Sequence, residues 1–154
     1  MMIKILFICH GNICRSPMAE FVMKELVRKA GVADRFEIAS AGVSREEEGN
    51  NVYPPVRRIL AQNGIPCGNR AARQMTKADY DRYDYLICMD SSNLRYLDRI
   101  VGSDPEGKVS LLLEHAGSNR SVTDPYYSGD FNATWDDVQS GCIALLNELL
   151  EKGA

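Results

Sequence analysis

The sequence predicts an α/β protein, in which a single domain is built on a parallel sheet of four strands with helices on both faces. Two observations carry this prediction. Short apolar runs alternate along the chain with segments whose apolar residues recur at helical spacing, which is typical of parallel strands joined by helical crossovers. The length of 154 residues fits one domain, residues 1–154, and no repeat or low-complexity linker divides it.

The first strand is predicted from the apolar run 2–8, and a short loop follows it. Gly11 and Asn12 favour a tight turn there, and Ser16 followed by Pro17 is typical of the start of a helix. The N–H groups of such a loop and the positive end of the helix dipole converge on one point. We therefore expect an anion-binding site, which also favours the thiolate form of a neighbouring cysteine.

Periodicity predicts the elements that follow this loop. Apolar residues at helical spacing indicate a helix over residues 18–30, which Gly31 ends. The alternating run 36–41 indicates the second strand. Residues 42–55 are polar and rich in Gly, Asn and Pro, so we expect a long surface loop.

The middle of the chain continues the alternation. A helical pattern covers residues 55–63, and Thr76 with Asp79 matches the capping box at the start of another helix. The continuous apolar run 85–89 indicates a buried parallel strand, and a helix over 93–101 follows it.

The last third of the chain contains one ambiguous segment. Residues 108–113 fit either a strand or the start of a helix, since periodicity does not separate the two over so few residues, and we predict a strand. Residues 117–133 are polar and rich in turn formers, and a long loop in a compact domain is usually functional. Residues 134–152 form a clear amphipathic helix.

Four polar or reactive residues are expected at one edge of the sheet. The carboxyl ends of parallel strands share an edge, and ligands bind there. Cys9, Ser40 and Asp90 each lie at the end of a predicted strand, and the loop that carries Asp124 is long enough to reach them. Asp90 itself is predicted to cap the helix that follows it.

Composition excludes several functional classes. The formal net charge is −3, which does not indicate a nucleic acid partner. No apolar run approaches ~20 residues, so we predict no membrane span and a cytoplasmic location. The five cysteines are odd in number and lack a regular framework, which indicates free thiols, and with only two histidines we predict no metal site and no cofactor.

The loop after the first strand suits attack on a tetrahedral oxyanion. Arg15 can hold two oxygens bidentately and the amides of residues 10–15 can hold the others, with Cys9 beneath the phosphorus as nucleophile. Ser16 is placed to donate a hydrogen bond to the Cys9 sulfur. A covalent cysteinyl-phosphate follows from this arrangement.

The leaving group also needs a general acid, and the loop itself contains none. Asp124 is the best candidate, because Pro125 stiffens its loop and Tyr126 and Tyr127 supply an aromatic wall for a flat phenolic substrate. In the second step the same Asp124 would activate water.

The chain resembles the low molecular weight protein tyrosine phosphatases. The motif I-C-H-G-N-I-C-R-S-P covers residues 8–17, C-M-D lies at 88–90 and D-P-Y-Y at 124–127, in that family's order and spacing. The resemblance implies a flavodoxin-like three-layer sandwich with strand order 2-1-3-4. It also implies Cys9 as nucleophile, Arg15 as phosphate binder and Asp124 as general acid. The substrate-binding residues are then His10, Gly11, Asn12, Ile13, Cys14, Ser16, Tyr126 and Tyr127.

The resemblance implies further details of the loop and of the ligands. Asn12 shapes the loop by hydrogen bonding, and Cys14 forms a reversible disulfide with Cys9 that protects the nucleophile from over-oxidation. The expected substrates are phosphotyrosine in proteins and small aryl phosphates. Phosphate and other oxyanions are expected to inhibit, and the protein is expected to be a monomer or a weak dimer.

Two segments depart from the pattern of the family, and Ile13 bears on the choice of substrate. Eukaryotic members carry a histidine before A-R-Q that supports the loop asparagine, where this chain has Asn69 and Arg70. Many members place an aromatic wall residue in the loop after the second strand, where this chain is acidic at 46–48. Relatives that act on phosphoarginine have a small threonine at the position of Ile13, so the bulkier Ile13 favours phosphotyrosine.

Three alternatives remain open from the sequence. The first is a protein arginine phosphatase of the same family. The second is an arsenate reductase of the same fold, which needs a mobile cysteine pair near the third strand, whereas Cys88 stands there alone in an apolar run. The third is a catalytically silent phosphoprotein-binding module, which would need neither Cys9 nor Asp124.

Overall fold

The first strand, β1 (Ile3–Cys9), is buried on both faces because nearly all of its residues are apolar. Ile5 and Phe7 pack into one hydrophobic cluster, and Leu6 and Ile8 pack into another on the opposite side of the sheet. A strand without a polar face is stable only at the centre of a sheet that is covered on both sides. β1 therefore organises the domain.

The sheet in this computed structural model, which describes residues 2–153, has four parallel strands. β2 (Phe36–Gly42) pairs with one side of β1, β3 (Tyr85–Cys88) pairs with the other, and β4 (Val109–Leu111) lies at the edge beside β3. The order β2-β1-β3-β4 confirms the predicted fold class. Met1 and Ala154, which the predicted domain 1–154 includes, lie outside the described residues.

Helices cover both faces of the sheet. The helices are α1 (Arg15–Lys29), α2 (Pro54–Gln62), α3 (Lys77–Arg82), α4 (Ser91–Val101), α5 (Pro125–Ser128) and α6 (Phe131–Glu151). One face carries the cluster shared by α1, α2 and α6, and the other carries the cluster shared by α3 and α4. None of the helices among residues 2–153 combines the length and the apolar character needed to cross a bilayer.

Two helices begin three residues earlier than periodicity predicts. α1 starts at Arg15 instead of residue 18, because the first turn contains the polar residues of the loop, and the Met18 N–H already donates to the carbonyl oxygen of Cys14. α6 starts at Phe131 instead of residue 134, because Asp130 caps it by accepting the Ala133 N–H at 2.9 Å. Side chains in a capped first turn need not follow the apolar pattern.

The predicted strand 108–113 is too long. β4 ends at Leu111, whose N–H donates to the Glu114 carboxylate, and a 3₁₀ helix over Leu112–Ala116 follows. Both possibilities left open by this short run therefore occur, one after the other. The predicted loop 117–133 also contains a helical turn, α5, because the Asp124 carboxylate accepts the Tyr126 N–H at 3.0 Å.

Candidate active site

Cys9 lies at the carboxyl end of β1 and is 4 % exposed. Its Sγ is 3.0 Å from Ser16 Oγ and accepts the Asn12 N–H at 3.3 Å. Both contacts stabilise negative charge on the sulfur when Ser16 donates to it. The contact predicted between Ser16 and the Cys9 sulfur is present.

Asn12 holds the loop from below. Its φ of 63° is left-handed, a region that asparagine tolerates better than most residues, and its side chain is fully buried. The Asn12 Nδ2 donates to Ser16 Oγ at 2.8 Å and to Ser40 Oγ at 3.0 Å, and Ser40 donates onward to Glu20 Oε1 at 2.6 Å. A chain of buried polar contacts therefore runs from Glu20 to Cys9.

Arg70 completes the support of Asn12. Its Nη1 donates to the Asn12 carbonyl oxygen and its Nη2 to Asn12 Oδ1, each at 2.7 Å. Arg70 is one of the two residues at which we expected a departure from the family pattern, and here it contacts the loop asparagine directly. The family pattern marked this segment but did not give Arg70 its role, because the sequence does not show that an arginine there reaches Asn12, 58 positions away.

Arg15 joins the two halves of the site. It is 3 % exposed, forms an ion pair with Asp90 at 2.8 Å, and its Nη2 also lies 3.3 Å from Asp124 Oδ2, 109 positions along the chain. Its Nη1 donates to the Val122 carbonyl oxygen at 3.2 Å. The predicted nucleophile loop and the predicted acid are thus held against one another by one guanidinium.

Asp90 has a second role beyond the predicted cap. Its Oδ1 accepts the Asn93 N–H at 2.8 Å, which confirms that it caps α4. Its Oδ2 pairs with Arg15 at the same time. A sequence gives the capping pattern but not the direction of the second carboxylate oxygen, so the ion pair was missed.

The loop after β2 lies over the loop that follows β1 and forms the rim of the pocket. A Cβ at Gly42 would lie 2.7 Å from the carbonyl oxygen of His10, so the two loops approach this closely only with glycine there. The His10 Nε2 lies 3.3 Å from Glu46 Oε2, and its ring meets Tyr96 edge-on with 5.7 Å between the centroids. Tyr96 is a wall residue that sequence reasoning did not identify.

Most of the predicted site residues line one pocket of about 560 Å³. Tyr126 and Tyr127 stand at its mouth and are each 84 % exposed. Their rings contact one another edge-to-face, with 5.0 Å between the ring centroids. Asn12 and Ser16 lie beneath the loop instead, both fully buried. The lining residues are Cys9, His10, Gly11, Ile13, Cys14, Arg15, Glu46, Glu47, Asp90, Ser92, Asn93, Tyr96, Asp124, Tyr126 and Tyr127.

The other cysteines differ from Cys9 in their surroundings. Burial, aided by the negative charges of Cys9 and Asp124, raises the pKa of the Cys14 thiol to about 12, so Cys14 is protonated at neutral pH. Burial likewise raises the pKa of Cys88, which is fully buried in β3. Within residues 2–153, all five cysteines are free and no group of three or more His, Cys, Asp or Glu side chains is arranged to hold a metal ion.

The geometry suits capture of a tetrahedral anion beside a thiol. The buried guanidinium of Arg15 lines the same pocket as Cys9, whose sulfur contacts the Asn12 amide and the first turn of α1, and the carboxylates of Asp90 and Asp124 both contact that guanidinium. The sequence model of the low molecular weight phosphotyrosine protein phosphatase family matches residues 4–154. The chain belongs to this family. It is therefore a member of a phosphatase family, and the predicted resemblance is confirmed.

Relatives within the family are similar along most of their length. The chain is 36 % identical over 147 residues to the low molecular weight protein-tyrosine-phosphatase YfkJ of Bacillus subtilis, covering 94 % of each chain. It is 43 % identical to the Schizosaccharomyces pombe phosphatase, covering 82 % of this chain and 83 % of the relative. It is 37 % identical to the human phosphatase, covering 96 % of this chain and 94 % of the relative.

Solved structures agree with this family assignment. The crystal structure of YfkJ superposes with a TM-score of 0.95 at 35 % identity, covering all of this chain and 98 % of that one. The structure of a Drosophila arginine phosphatase superposes with a TM-score of 0.86 at 31 % identity, covering 96 % and 98 %. The fold is thus shared by a relative named as a tyrosine phosphatase and by one named as an arginine phosphatase.

Proposed function

We propose that this phosphatase hydrolyses phosphotyrosine in proteins through a cysteinyl-phosphate, with Cys9 as nucleophile, Arg15 as phosphate binder and Asp124 as general acid and base. One observation carries the proposal. Arg15, the first residue of α1, lies 3.3 Å from Asp124, and α1 begins beside Cys9. The acid and the nucleophile therefore face the same anion site. The family assignment supplies the reaction class.

The first step transfers the phosphoryl group to the enzyme. The Cys9 thiolate attacks phosphorus, the S–P bond forms, and the bond from phosphorus to the phenolic oxygen breaks. Asp124 gives its proton to the departing oxygen, so the leaving group departs as a neutral phenol. Arg15 binds two of the phosphoryl oxygens, and Asp90, paired with its Nη2 at 2.8 Å, fixes the orientation of the guanidinium.

The second step returns the enzyme to its starting state. Water attacks the phosphorus of the cysteinyl-phosphate, and the ionised Asp124 takes a proton from it. The S–P bond breaks, inorganic phosphate leaves, and the Cys9 thiolate is restored. Ser16, at 3.0 Å from Sγ, stabilises that thiolate as a leaving group. Phosphate and other oxyanions are competitive inhibitors, because they occupy the same anion site.

The walls of the pocket favour an aryl substrate. Tyr126 and Tyr127 offer exposed ring surface at the mouth, and Ile13 narrows the pocket with an aliphatic side chain. A flat phenyl ring gains binding free energy from contact with the tyrosine rings and with Ile13. A cytoplasmic location and a monomeric or weakly dimeric state stay predictions from the sequence.

A protein arginine phosphatase is the second candidate, because the structure of the Drosophila arginine phosphatase is so similar to this one. Two peptides of one sequence, carrying phosphotyrosine or phosphoarginine at the same position, separate the candidates. We expect kcat/KM to favour phosphotyrosine by roughly tenfold or more, and Ile13→Thr to reduce that ratio. A clear preference for phosphoarginine in the unmodified protein would contradict the proposal.

The remaining alternatives conflict with the chemistry of the site. Thiol relay by an arsenate reductase needs an accessible cysteine pair, whereas Cys88 is buried with a raised pKa. A silent binding module needs no general acid, whereas Asp124 stands at the anion site. Turnover of p-nitrophenyl phosphate that disappears in Cys9→Ser would exclude the silent module.

A further inference from the structure

Asp137 is a buried carboxylate that the proposed reaction does not use. It lies in α6, is 8 % exposed, and accepts hydrogen bonds from two residues of the loop before Asp124. Arg120 donates to both of its oxygens, at 2.6 and 3.0 Å. The N–H and the hydroxyl of Thr123 each donate to its Oδ2 at 2.8 Å.

Thr123 is consequently fixed to α6 by all of its polar groups. Asp137 holds its N–H and hydroxyl, and the buried Thr134 donates its hydroxyl to the Thr123 carbonyl oxygen at 2.7 Å. That carbonyl belongs to the peptide bond that leads directly into Asp124. A residue held at three points leaves its neighbour little freedom to shift.

The residue before Thr123 is held from the opposite side. The Val122 N–H donates to the carbonyl oxygen of Met89 at 3.0 Å, and its own carbonyl accepts from Arg15 at 3.2 Å. Two successive residues are thus tied to different elements: Val122 to the residue that follows β3 and to the phosphate-binding arginine, and Thr123 to α6. The attachment of Thr123 to α6 involves none of the residues proposed to bind the anion.

We propose that Asp137 is a positioning residue for Asp124, which sets the distance between the general acid and the leaving-group oxygen by anchoring Thr123 to α6. This inference rests on the proposed role of Asp124. General acids act within about 2.6–3.2 Å of the oxygen that receives the proton, and a displacement of about 1 Å costs up to about 100-fold in rate.

The charge on Asp137 suits an anchor that works over a wide pH range. Burial by itself would raise the pKa of this carboxyl, but the hydrogen bonds from Arg120 and Thr123 outweigh burial and lower its pKa below the usual value. The carboxylate therefore stays ionised, with both oxygens as acceptors, throughout the neutral range. Replacement by asparagine presents an amide N–H₂ to one of these donors.

The dependence of kcat/KM on the leaving group distinguishes a residue that positions Asp124 from one that only stabilises the fold. kcat/KM reports the step in which the phenol departs, and only a poor leaving group depends strongly on the acid. For Asp137→Asn we expect kcat/KM to fall by roughly tenfold with phenyl phosphate and by less than about threefold with p-nitrophenyl phosphate. The phosphate inhibition constant should not change.

Two further variants make the test independent of a failure to fold. Thr134→Val removes the donor to Thr123 and leaves Asp137 in place, so kcat/KM should again fall more with phenyl phosphate than with p-nitrophenyl phosphate. Asp136→Asn makes the same charge change at the adjacent, exposed position of α6 and should have no effect. Asp124→Ala should show the largest selective loss of all.

The outcomes separate this inference from the proposed function. If Asp124→Ala loses rate selectively with phenyl phosphate but Asp137→Asn and Thr134→Val slow both substrates equally, or slow neither, the positioning role is wrong and the acid role stands. If Asp124→Ala itself shows no selectivity, both the acid role and the positioning role are wrong. A selective loss with phenyl phosphate in Asp124→Ala, Asp137→Asn and Thr134→Val supports both the acid role and the positioning role.

Discussion

Arg70 donates one hydrogen bond to the backbone oxygen of Asn12 and another to its side-chain oxygen, both at 2.7 Å. Asn12 is the only non-glycine residue with positive φ among residues 2–153. The planar guanidinium is therefore matched to a strained backbone position directly under the nucleophile loop. This pair explains how the loop keeps its shape without the histidine of eukaryotic relatives.

Replacement of Arg70 by lysine should weaken phosphate binding. Lysine carries the charge but lacks the two parallel donors, so it does not hold both oxygens of Asn12. We expect a loss of about 1–3 kcal/mol in the free energy of unfolding and a fall in kcat/KM that is similar for phenyl and p-nitrophenyl phosphate. Arg57→Lys, on an exposed position of α2, is the matched control. A wild-type inhibition constant for phosphate in Arg70→Lys would contradict this role.

Asp90→Asn should impair the site without removing the helix cap. Asparagine caps a helix about as well as aspartate, so α4 should persist. The charge that pairs with the buried Arg15 at 2.8 Å is lost, however, and the guanidinium is no longer held in one orientation. We predict a reduced kcat/KM and weaker inhibition by phosphate, measured beside the thermal stability. Unchanged inhibition would show that Asp90 does not orient Arg15.

Oxidation by hydrogen peroxide should be reversible because of Cys14. The sulfenic acid formed on Cys9 condenses with the Cys14 thiol, which releases water and forms a disulfide. Since the raised pKa keeps Cys14 protonated until then, it does not compete as a nucleophile. Dithiothreitol should restore activity to the oxidised protein and to Cys67→Ser, but much less to Cys14→Ser. Equal recovery in all three proteins would rule out this disulfide.

Acid should weaken the contribution of Asp137 to stability. Its pKa is lower in the folded protein than the value of about 3.9 in an unfolded chain, so the stabilisation is complete above about pH 5 and declines as the pH falls through 4 toward the folded pKa. The difference in unfolding free energy between wild type and Asp137→Asn should therefore shrink between pH 6 and pH 3 in urea titrations. A difference independent of pH would show that the carboxylate charge does not matter.

The sequence predicted the sheet well because its strands are short apolar runs with unambiguous neighbours. Each predicted strand from 2–8, 36–41 and 85–89 lies within one residue of the observed β1, β2 and β3. β4 was overextended because the side chains of Leu112 and Leu113 are buried in a 3₁₀ turn as completely as they would be in a strand. Hydrophobicity reports burial, and burial does not distinguish these two backbones over so short a run.

The site was predictable where residues are close in sequence or carry a motif. Cys9, Arg15 and Asp124 have the spacing of the family, and they occupy one pocket. Asp137 and Arg70 act through contacts that span 14 and 58 positions, respectively, and neither belongs to a motif. Such partners are set by the crossing of helices and loops in three dimensions, which a single sequence does not encode in any local pattern.

A rapid acid quench during turnover tests the cysteinyl-phosphate most directly. The protein is mixed with excess p-nitrophenyl phosphate, quenched within the first turnovers, digested and analysed by mass spectrometry. We predict one phosphoryl group on the peptide that contains Cys9, and neither this adduct nor turnover in Cys9→Ser. Hydrolysis that continues in Cys9→Ser, or turnover by the wild-type protein with no phosphoryl group on Cys9, would contradict the proposed mechanism.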